Sequence, residues 1–439
     1  MAGRSKATVR GDGRWLGAVV LPSLSANVCS STIPLGMKNR HSSLSVLELV
    51  QTHSPCADEK QLMNPRKPTT HDVARTPVSP ADSTGKFQFY IDHIVTMGFG
   101  TPEKMMSLIL DTSSDLTWIQ CNTCPNKTCR KQEGSLFNPS MSSSYSHIPC
   151  KSTQCSIMEP DTPSGPICSK TGNCIYDLTD SDGNEIKGDF SRDTLTIAPN
   201  ILVHDFKFGC TYSTKGTFGL EAGLLALGRS NTSIVSQTAN KFNQCFSYCF
   251  PSSSSSKGFL TLGKDNSFTK IFTPLIIRSE YPYMYFINII AISVDGRDIK
   301  YNPNAFLSSG NTYIDSSIAI TELPSAVYNP FSTEFRWLML NKYRYKKAKP
   351  PSDGSSLDIC FVPHKTNNSI PSVSFTFKNN VKVNLDFFGI VRVYNASLMC
   401  LAFTSVDDNM ATFGITQQKT FEVVYDVGGH KLWFIPNRC

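Results

Sequence analysis

The sequence predicts a mostly β protein made of two similar lobes, and two observations support this prediction. From Phe87 onwards, short apolar runs alternate with turns rich in Gly, Pro, Asn and Ser, and few long stretches have helical periodicity. In addition, an apolar run that ends in Asp and small hydroxyl residues occurs twice, within residues 105–121 and again within residues 312–320. We interpret this repeat as a duplicated fold that brings two equivalent turns together.

Each of the repeated turns carries one carboxylate, Asp111 in the first and Asp315 in the second. Two carboxylates that share a site cannot both ionise cheaply, so one keeps its proton and can act as an acid while the other acts as a base. Asp and Ser are also ordinary turn formers. On spacing alone, a pair of turn or capping residues is therefore an equally good interpretation.

The composition predicts a soluble globular protein without a membrane span. The 439 residues are 40% hydrophobic and 18% charged, the mean hydropathy is -0.18, and no apolar run reaches the length of about 18 residues that a span requires. Of the net charge of +7, residues 1–85 supply ten Lys or Arg against six Asp or Glu, which leaves 32 against 29 in the rest of the chain. This balance of about +3 gives no reason to expect a nucleic-acid partner.

The cysteines favour an oxidising compartment. There are fifteen, and thirteen of them follow residue 100. Cys121 and Cys124 have the spacing of half a zinc site, but no second such pair follows and His147 is the only histidine nearby, so we expect disulfides and no metal. Residues 1–26 have the weak pattern of a signal peptide, and we expect a secreted protein, extracellular (apoplastic) or vacuolar. Glycosylation sequons begin at Asn126, Asn231, Asn367 and Asn395.

Further motifs surround the two aspartate turns. They are Gly-Thr-Pro at 100–102, the first turn through Cys121, Phe-Gly-Cys at 208–210, residues 222–229 and 246–249, the second turn, and residues 400–403 and 417–426. In this order they resemble the motifs of pepsin-like aspartic proteases of the plant nepenthesin type, and the resemblance covers residues 44–439. It implies a bilobed pepsin-like acid protease fold, with two similar β-barrel-like lobes and the active site in the cleft between them.

The resemblance also implies a division of the chain. Residues 27–85 would form a prosegment and linker after the signal peptide. Residues 86–266 would form an N-terminal lobe with a cysteine-rich insert at 121–174, and residues 267–439 a C-terminal lobe, with the boundary near 264–270. The count of cysteines in the family leaves Cys245 without a counterpart, which implies that Cys245 is a thiol and that Cys360 pairs with Cys400.

By the same resemblance, the chain is an aspartic endopeptidase made as a zymogen. Asp111 and Asp315 would hold a water between them, one acting as base toward the water and the other as acid toward the scissile carbonyl. The partner would be a protein or peptide substrate, and we expect a monomer. No metal, cofactor or covalent intermediate is needed.

The two active-site loops depart from the family pattern in the same way. They comprise Thr112, Ser113 and Ser114 in the first copy and Ser316 and Ser317 in the second. Ser113 and Ser317 stand where the family has glycines, so each adds bulk beside a carboxylate and restricts the backbone. Ser114 can offer a hydroxyl to Asp111, whereas Ile318 cannot do so for Asp315. These departures favour an alternative, a catalytically weak or inactive binding or inhibitor-like protein.

A third departure concerns the flap, the hairpin that closes over substrate. The flap tyrosine of the family falls at Asp180 in this chain, so we expect Trp118, the counterpart of that tyrosine's partner, to lose its contact. Tyr176 is the alternative tyrosine. Its spacing from Cys174 fits a neighbouring tyrosine of the family pattern.

Two local patterns give predictions of secondary structure. Residues 329–340 are the clearest helix candidate, with Asn329 as its cap and Pro330 in its first position. Residues 44–50 alternate imperfectly, so a short strand and one turn of helix both remain open, and the resemblance places them at the start of the propeptide. The serine run at 252–256 is predicted to be a solvated loop.

Overall fold

A computed structural model describes residues 30–31, 45–51, 93–125, 129–158, 167–180, 183–250, 256–263, 271–352, 356–364, 368–436 and 438–439. The predicted signal peptide, most of the predicted prosegment, the lobe boundary near 264–270 and residues 252–255 of the serine run lie outside these ranges. The described part is mostly β, as predicted. Its helices are not long and apolar enough to cross a membrane.

Within the described ranges, the first half of the chain contains thirteen strands, β1–β13 in chain order. They are Ser30–Ser31, Ser45–Gln51, His93–Phe99, Lys104–Asp111, Trp118–Gln120, Ser146–His147, Ile167–Cys168, Cys174–Thr179, Glu185–Ala198, Ile201–Lys215, Gly223–Ala226, Cys245–Cys249 and Ser256–Leu262. Three short α-helices, α1–α3, lie among them. They are Thr153–Ser156, Ile234–Gln237 and Ala239–Phe242.

The second half contributes strands β14–β29. They are Thr273–Pro274, Phe286–Ile287, Ile289–Val294, Arg297–Asp298, Thr312–Ile314, Thr321–Pro324, Lys346–Lys347, Cys360–Val362, Val373–Phe377, Val381–Asn384, Val391–Asn395, Leu398–Leu401, Phe403–Val406, Ala411–Phe413, Phe421–Asp426 and Lys431–Pro436. The helices α4–α6 are Ser325–Asn341, Phe387–Ile390 and Ile415–Gln418. Single 3-10 turns are Pro139–Met141, Pro303–Ala305 and Lys378–Asn380.

One large sheet runs through both halves of the molecule. Strands β12 and β13 of the first half pair with each other, and β12 also pairs antiparallel with β28 of the second half. On the other side, β2 joins β13 to β3, and the sheet continues through β4, β11, β5, β10 and β9. Three smaller sheets of five, four and four strands complete the second half. Apolar side chains from both halves form one continuous core.

Strand β2 settles the open interpretation of residues 44–50. Ser45–Gln51 is a strand, and it pairs antiparallel with β13 from Leu49↔Gly258 to Ser45↔Leu262. Its side chains alternate as a half-buried strand requires, with Leu47 and Leu49 in the core. The segment therefore belongs to the body of the sheet. Of the serine run, Ser256 also lies in a strand, β13.

The predicted helix exists, but the prediction of its start was wrong. Helix α4 begins at Ser325, so Pro330 lies inside it and Asn329 is not its cap. The side chains of Val327, Tyr328 and Phe331 are buried along one face. Because this face spans the residues on both sides of Pro330, packing extends the helix upstream of the proline, at the cost of one backbone hydrogen bond.

The cysteine-rich insert is held by disulfides, as expected. Six disulfides join described cysteines: Cys121–Cys210, Cys124–Cys129, Cys150–Cys168, Cys155–Cys174, Cys249–Cys439 and Cys360–Cys400. The predicted Cys360–Cys400 pair is among them. Cys245 is a buried thiol, also as predicted, and its Sγ donates to the backbone carbonyl of Asn243 at 3.4 Å.

Candidate active site

The two aspartate turns have equivalent positions in the fold. Asp111 ends β4, which runs parallel to β11 so that Asp111 lies beside Ala226. Asp315 directly follows β18, which runs parallel to β27. The backbone carbonyl of Asp111 accepts from the Leu227 amide at 2.8 Å, and the Asp315 amide donates to the Phe413 carbonyl at 3.2 Å. Each turn is thus fixed at the end of a buried parallel strand pair.

Reciprocal hydrogen bonds bring the turns together across the two halves. The Thr112 amide donates to Ser316 Oγ at 3.0 Å, and the Ser316 amide donates to Thr112 Oγ1 at 3.1 Å. Asp111 and Asp315, with exposures of 6% and 3%, lie on either side of this contact. The structure therefore assembles the two carboxylates that the repeat singled out.

Each carboxylate is held by the serine two residues further on. The Ser113 amide and Oγ both donate to Asp111 Oδ1 at 2.7 Å. The Ser317 amide and Oγ donate in the same way to Asp315 Oδ1, at 2.7 and 2.8 Å. The two serine hydroxyls lie 3.5 Å apart, Ser113 half-buried and Ser317 exposed. Neither residue has a positive φ, so the expected backbone restriction does not arise and glycine is not required at either position.

The turns differ at the next position. Ser114 Oγ donates to Asp111 Oδ2 at 2.5 Å. Ile318 occupies the matching place in the second turn and has no hydroxyl to offer Asp315. The turn therefore supplies a hydroxyl donor at this position to Asp111 but not to Asp315.

The electrostatics of Asp315 follow from its surroundings. Burial and, to a smaller extent, the negative charge of Asp111 together raise the pKa of Asp315 to about 7, while hydrogen bonds from Ser317 and Ser113 oppose the shift. The carboxyl of Asp315 therefore carries a proton below about pH 7. A protonated carboxyl beside a second carboxylate can supply an acid and a base to the same bound group.

A buried polar network that the sequence analysis did not identify supports the backbone of Asp315. The side-chain amide of Gln418 donates to the carbonyls of Asp315 and Phe413, both at 2.8 Å. Its oxygen accepts from Tyr248 Oη at 2.5 Å, and Tyr248 in turn contacts the hydroxyl of Tyr425 at 2.8 Å. Gln418 and Tyr248 lie within motifs noted in the sequence, but the motifs alone gave no sign that these side chains meet behind Asp315.

Asp180 and Tyr176, the two residues predicted for the flap position, lie in different parts of the first half. Asp180 accepts from the backbone and side-chain amides of Asn184, both at 2.8 Å, and Asn184 Oδ1 accepts from the Thr217 amide at 2.8 Å. Residues 181–182 are outside the described ranges. Tyr176 is fully buried, and its hydroxyl contacts Thr211 Oγ1 at 2.5 Å. Asp180 thus closes the turn that connects β8 and β9, whereas Tyr176 belongs to the interior of the first half.

Trp118 has an aromatic neighbour that the sequence did not suggest. Its ring meets Phe218 edge-on, with centroids 6.0 Å apart. The guanidinium of Arg130 lies 5.3 Å from the Phe218 ring and forms an ion pair with the buried Glu221 at 3.3 Å. The contact of Trp118 is therefore provided by a loop that the cysteine-rich insert anchors. Phe218 stands in a polar turn and has no local sequence signal for this role.

Within the described ranges, no cluster of His, Cys, Asp or Glu side chains has the form of a metal site. The paired cysteines that could have bound zinc form disulfides instead.

Comparisons with known proteins identify the family of this chain. Family models described as the N-terminal and C-terminal domains of xylanase inhibitors match residues 93–264 and 284–436. An aspartyl protease family protein of Arabidopsis thaliana is 39% identical over 352 residues, which are 79% of this chain and 72% of that relative. Aspartic proteinase nepenthesin-1 of Nepenthes gracilis is 31% identical over 360 residues, 79% of this chain and 78% of that relative.

Solved structures share the fold. The crystal structure of basic 7S globulin from soybean matches 90% of this chain and 96% of its own, with a TM-score of 0.65 at 20% identity. The two family models cover most of the chain, and relatives above 30% identity extend over more than two thirds of it. The predicted bilobed, mostly β, pepsin-like fold is confirmed. The chain therefore belongs to the plant pepsin-like aspartic proteases, the family that includes the nepenthesins.

Proposed function

We propose that this chain is an aspartic endopeptidase that hydrolyses peptide bonds in acid, with Asp111 and Asp315 as its catalytic pair. The observation that carries the proposal is the reciprocal contact of Thr112 and Ser316, which holds the two carboxylates in one site. The raised pKa of Asp315 supports it, because Asp315 then keeps in mildly acidic solution the proton that the acid of the pair must supply.

In this mechanism the carboxylate of Asp111 takes a proton from a water held between the two groups. The water oxygen attacks the scissile carbonyl carbon as Asp315 gives its proton to the carbonyl oxygen. The proton on Asp111 then passes to the leaving nitrogen and the carbon–nitrogen bond breaks, while one of the two hydroxyls on the carbon returns its proton to Asp315. A carboxylic acid and an amine are released, and both aspartates regain their starting states. Asp315 needs its proton at the first step, so activity should fall as the pH rises through about 7.

The remaining parts of the proposal concern where the protein is located, how it is made and what it acts on. We infer a secreted or vacuolar zymogen that acts as a monomer on proteins or peptides. Six disulfides among the described residues support an oxidising compartment. The same proposal includes a signal peptide that ends at residue 26, a prosegment and linker that end at residue 85, and an N-terminal lobe that ends at residue 266. It also includes glycosylation at the sequons.

The decisive experiment is proteolysis of a denatured protein substrate by the purified chain from about pH 3 to about pH 8, with Asp111→Asn and Asp315→Asn as controls. Cleavage in acid that both substitutions remove would establish the function. Cleavage that survives either substitution would assign it to another site.

A second candidate is a binding or inhibitor-like protein that does not cleave what it holds. Two observations favour it: the hydroxyls of Ser113 and Ser317 lie against the carboxylates, and the matching family models are named for xylanase inhibitors. Protein or peptide that the purified chain retains intact at every pH would support this candidate over the first.

A further inference from the structure

One arginine of the cysteine-rich insert holds residues 216–222, which connect β10 to β11 and are called the Phe218 loop below. The guanidinium of Arg130 donates to the backbone carbonyls of Gly219 and Glu221, at 2.5 and 2.7 Å. It also pairs with the carboxylate of Glu221 at 3.3 Å, and the two side chains are only 11% and 3% exposed. A β-carbon added to Gly219 would lie 2.4 Å from Glu221 Oε2, so the glycine leaves room for this carboxylate. A buried ion pair therefore fixes the backbone of the loop.

The same arginine contacts the aromatic ring of the loop. Its guanidinium carbon lies 5.3 Å from the centre of the Phe218 ring, and that centre is 6.0 Å from the centre of the Trp118 ring. A cation close to an aromatic ring is attracted to it, and the planar guanidinium can stack on the ring while its nitrogens donate to the backbone. At the start of the loop, the Thr217 amide donates to Asn184 Oδ1 at 2.8 Å. Phe218 is thus held in a loop that is bonded at both ends.

The strand register places Trp118 on the same face of the sheet as Asp111. Ala226 is paired with Asp111, and Leu224, two residues earlier in β11, is paired with Trp118. Paired residues, and residues two apart in a strand, point to the same face. Leu224 and Phe218 are half-buried, so part of this surface is accessible. An apolar surface of Trp118, Leu224 and Phe218 therefore begins about 7 Å, two residues of a strand, from the catalytic carboxylate.

We propose that Arg130 is a positioning residue for substrate selection. Through its ion pair with Glu221 it holds Phe218 as one side of this apolar surface. It thereby determines how strongly the site prefers a large apolar side chain next to the scissile bond. This inference rests on the proposed function, because it concerns the same cleft. Without the ion pair the loop loses its fixed backbone, and a large side chain of the substrate loses a fixed partner, whereas a small side chain loses little.

The test compares kcat/KM at acid pH for two peptides that differ only in Phe or Ala before the scissile bond. If the chain binds these peptides without cleaving them, the same ratio is taken from Kd by calorimetry. One variant combines Arg130→Met with Glu221→Leu, which leaves no buried charge unpaired. Another is Arg130→Lys, which keeps a cation but lacks the planar fork that donates to two carbonyls. Thermal melting verifies that each variant is folded.

We expect both variants to lower the preference for the Phe peptide about 5- to 20-fold, the range for changes in an apolar pocket. The value for the Ala peptide should stay within about threefold of the parent. Arg192→Met is the control, because it removes another ion pair of the first half, with Asp205 at 3.2 Å, and should leave the preference unchanged. In a Phe218→Ala background, the changes at Arg130 should have no further effect on the preference, since Arg130 acts through that ring.

The contrary outcomes are distinct. If the folded Arg130 variants keep the preference of the parent, the inference is wrong and the proposed function stands. If the effects of Arg130→Lys and Phe218→Ala on the preference multiply, Arg130 does not act through the ring and the inference is also wrong. If the folded parent neither cleaves nor binds either peptide, the proposed function falls and this inference falls with it.

Discussion

The Asp111 turn and the Asp315 turn have the same local structure, but the additional residues that form hydrogen bonds to them differ. In both, a buried parallel strand delivers the aspartate, and the serine two residues on donates through its amide and its hydroxyl. Oδ2 of Asp111 accepts an additional hydrogen bond from Ser114 Oγ. Asp315 has Ile318 at that position, and its backbone is instead fixed by Gln418 from behind.

Under the proposed function, this difference distinguishes the roles of the two aspartates. In the proposed mechanism Asp111, which accepts a hydrogen bond from Ser114, is the base. Burial and the charge of Asp111 raise the pKa of Asp315, which suits Asp315 to the acid. Duplication supplied two similar turns, and their surroundings make them unequal.

The largest effect should come from removing either carboxylate. Asp111→Asn and Asp315→Asn should each lower acid proteolysis about 10²- to 10⁴-fold, because each removes one partner of the proton transfer. Rates on a peptide substrate and melting temperatures would be measured together. A folded variant that keeps a rate near that of the parent would refute the assignment of the pair.

The support behind Asp315 can be removed without touching a carboxylate. Gln418→Leu deletes two hydrogen bonds to backbone carbonyls and should lower kcat about 10- to 100-fold through misplacement of Asp315. We expect a loss of about 1–3 kcal/mol in the free energy of unfolding, since buried groups lose their partners.

Gln417→Leu is the matched control for this prediction. Gln417 is as buried as its neighbour, but its side-chain amide donates to the carbonyls of Gly389 and Ala402, away from Asp315. It should lose similar stability and much less kcat. Equal losses of kcat in the two variants would mean that Gln418 has only a structural role.

A third change would make the two turns more alike. Ile318→Thr places a hydroxyl beside Asp315 at the position that matches Ser114. Donation to the ionised carboxylate lowers its pKa from about 7, so the alkaline limit of activity should move to lower pH by about one unit. Ile318→Val has the shape of threonine without the hydroxyl and should leave the limit in place. The pH dependence of kcat/KM decides, and identical profiles for the two variants would contradict the argument.

The smallest effect should come from the flap. Asp180→Tyr restores the family residue, but Trp118 already packs against Phe218, so we expect acid proteolysis to rise by less than about threefold. Phe218→Ala should change the rate more than Asp180→Tyr does, because it removes the neighbour of Trp118. The opposite ranking in a peptide assay would show that the tyrosine itself is the missing element.

The sequence was informative where a feature is local or repeated. The aspartate turns and the β texture could be predicted from motifs, and the Cys360–Cys400 disulfide from the resemblance to the family. The Gln418 network could not, because Tyr248 and Asp315 lie 170 and 103 residues from Gln418 and meet it only through the fold. The start of helix α4 was missed for a related reason: local rules for proline were overridden by packing of a buried face.

The position of strand β2 in the sheet determines the effect of cleaving the chain before or after this strand. Among the described strands, β2 is the sole link between the block that contains β13, β12 and β28 and the block that contains β3 and β4. Removal of residues 45–51 would open the sheet along its middle and leave β13 and β3 with unpaired edges, which invite another strand. A cut between residues 52 and 92 would instead leave β2 paired with β13 and β3. Maturation at such a site would produce a two-chain molecule in which the N-terminal piece still supplies the strand that joins the two blocks of the sheet.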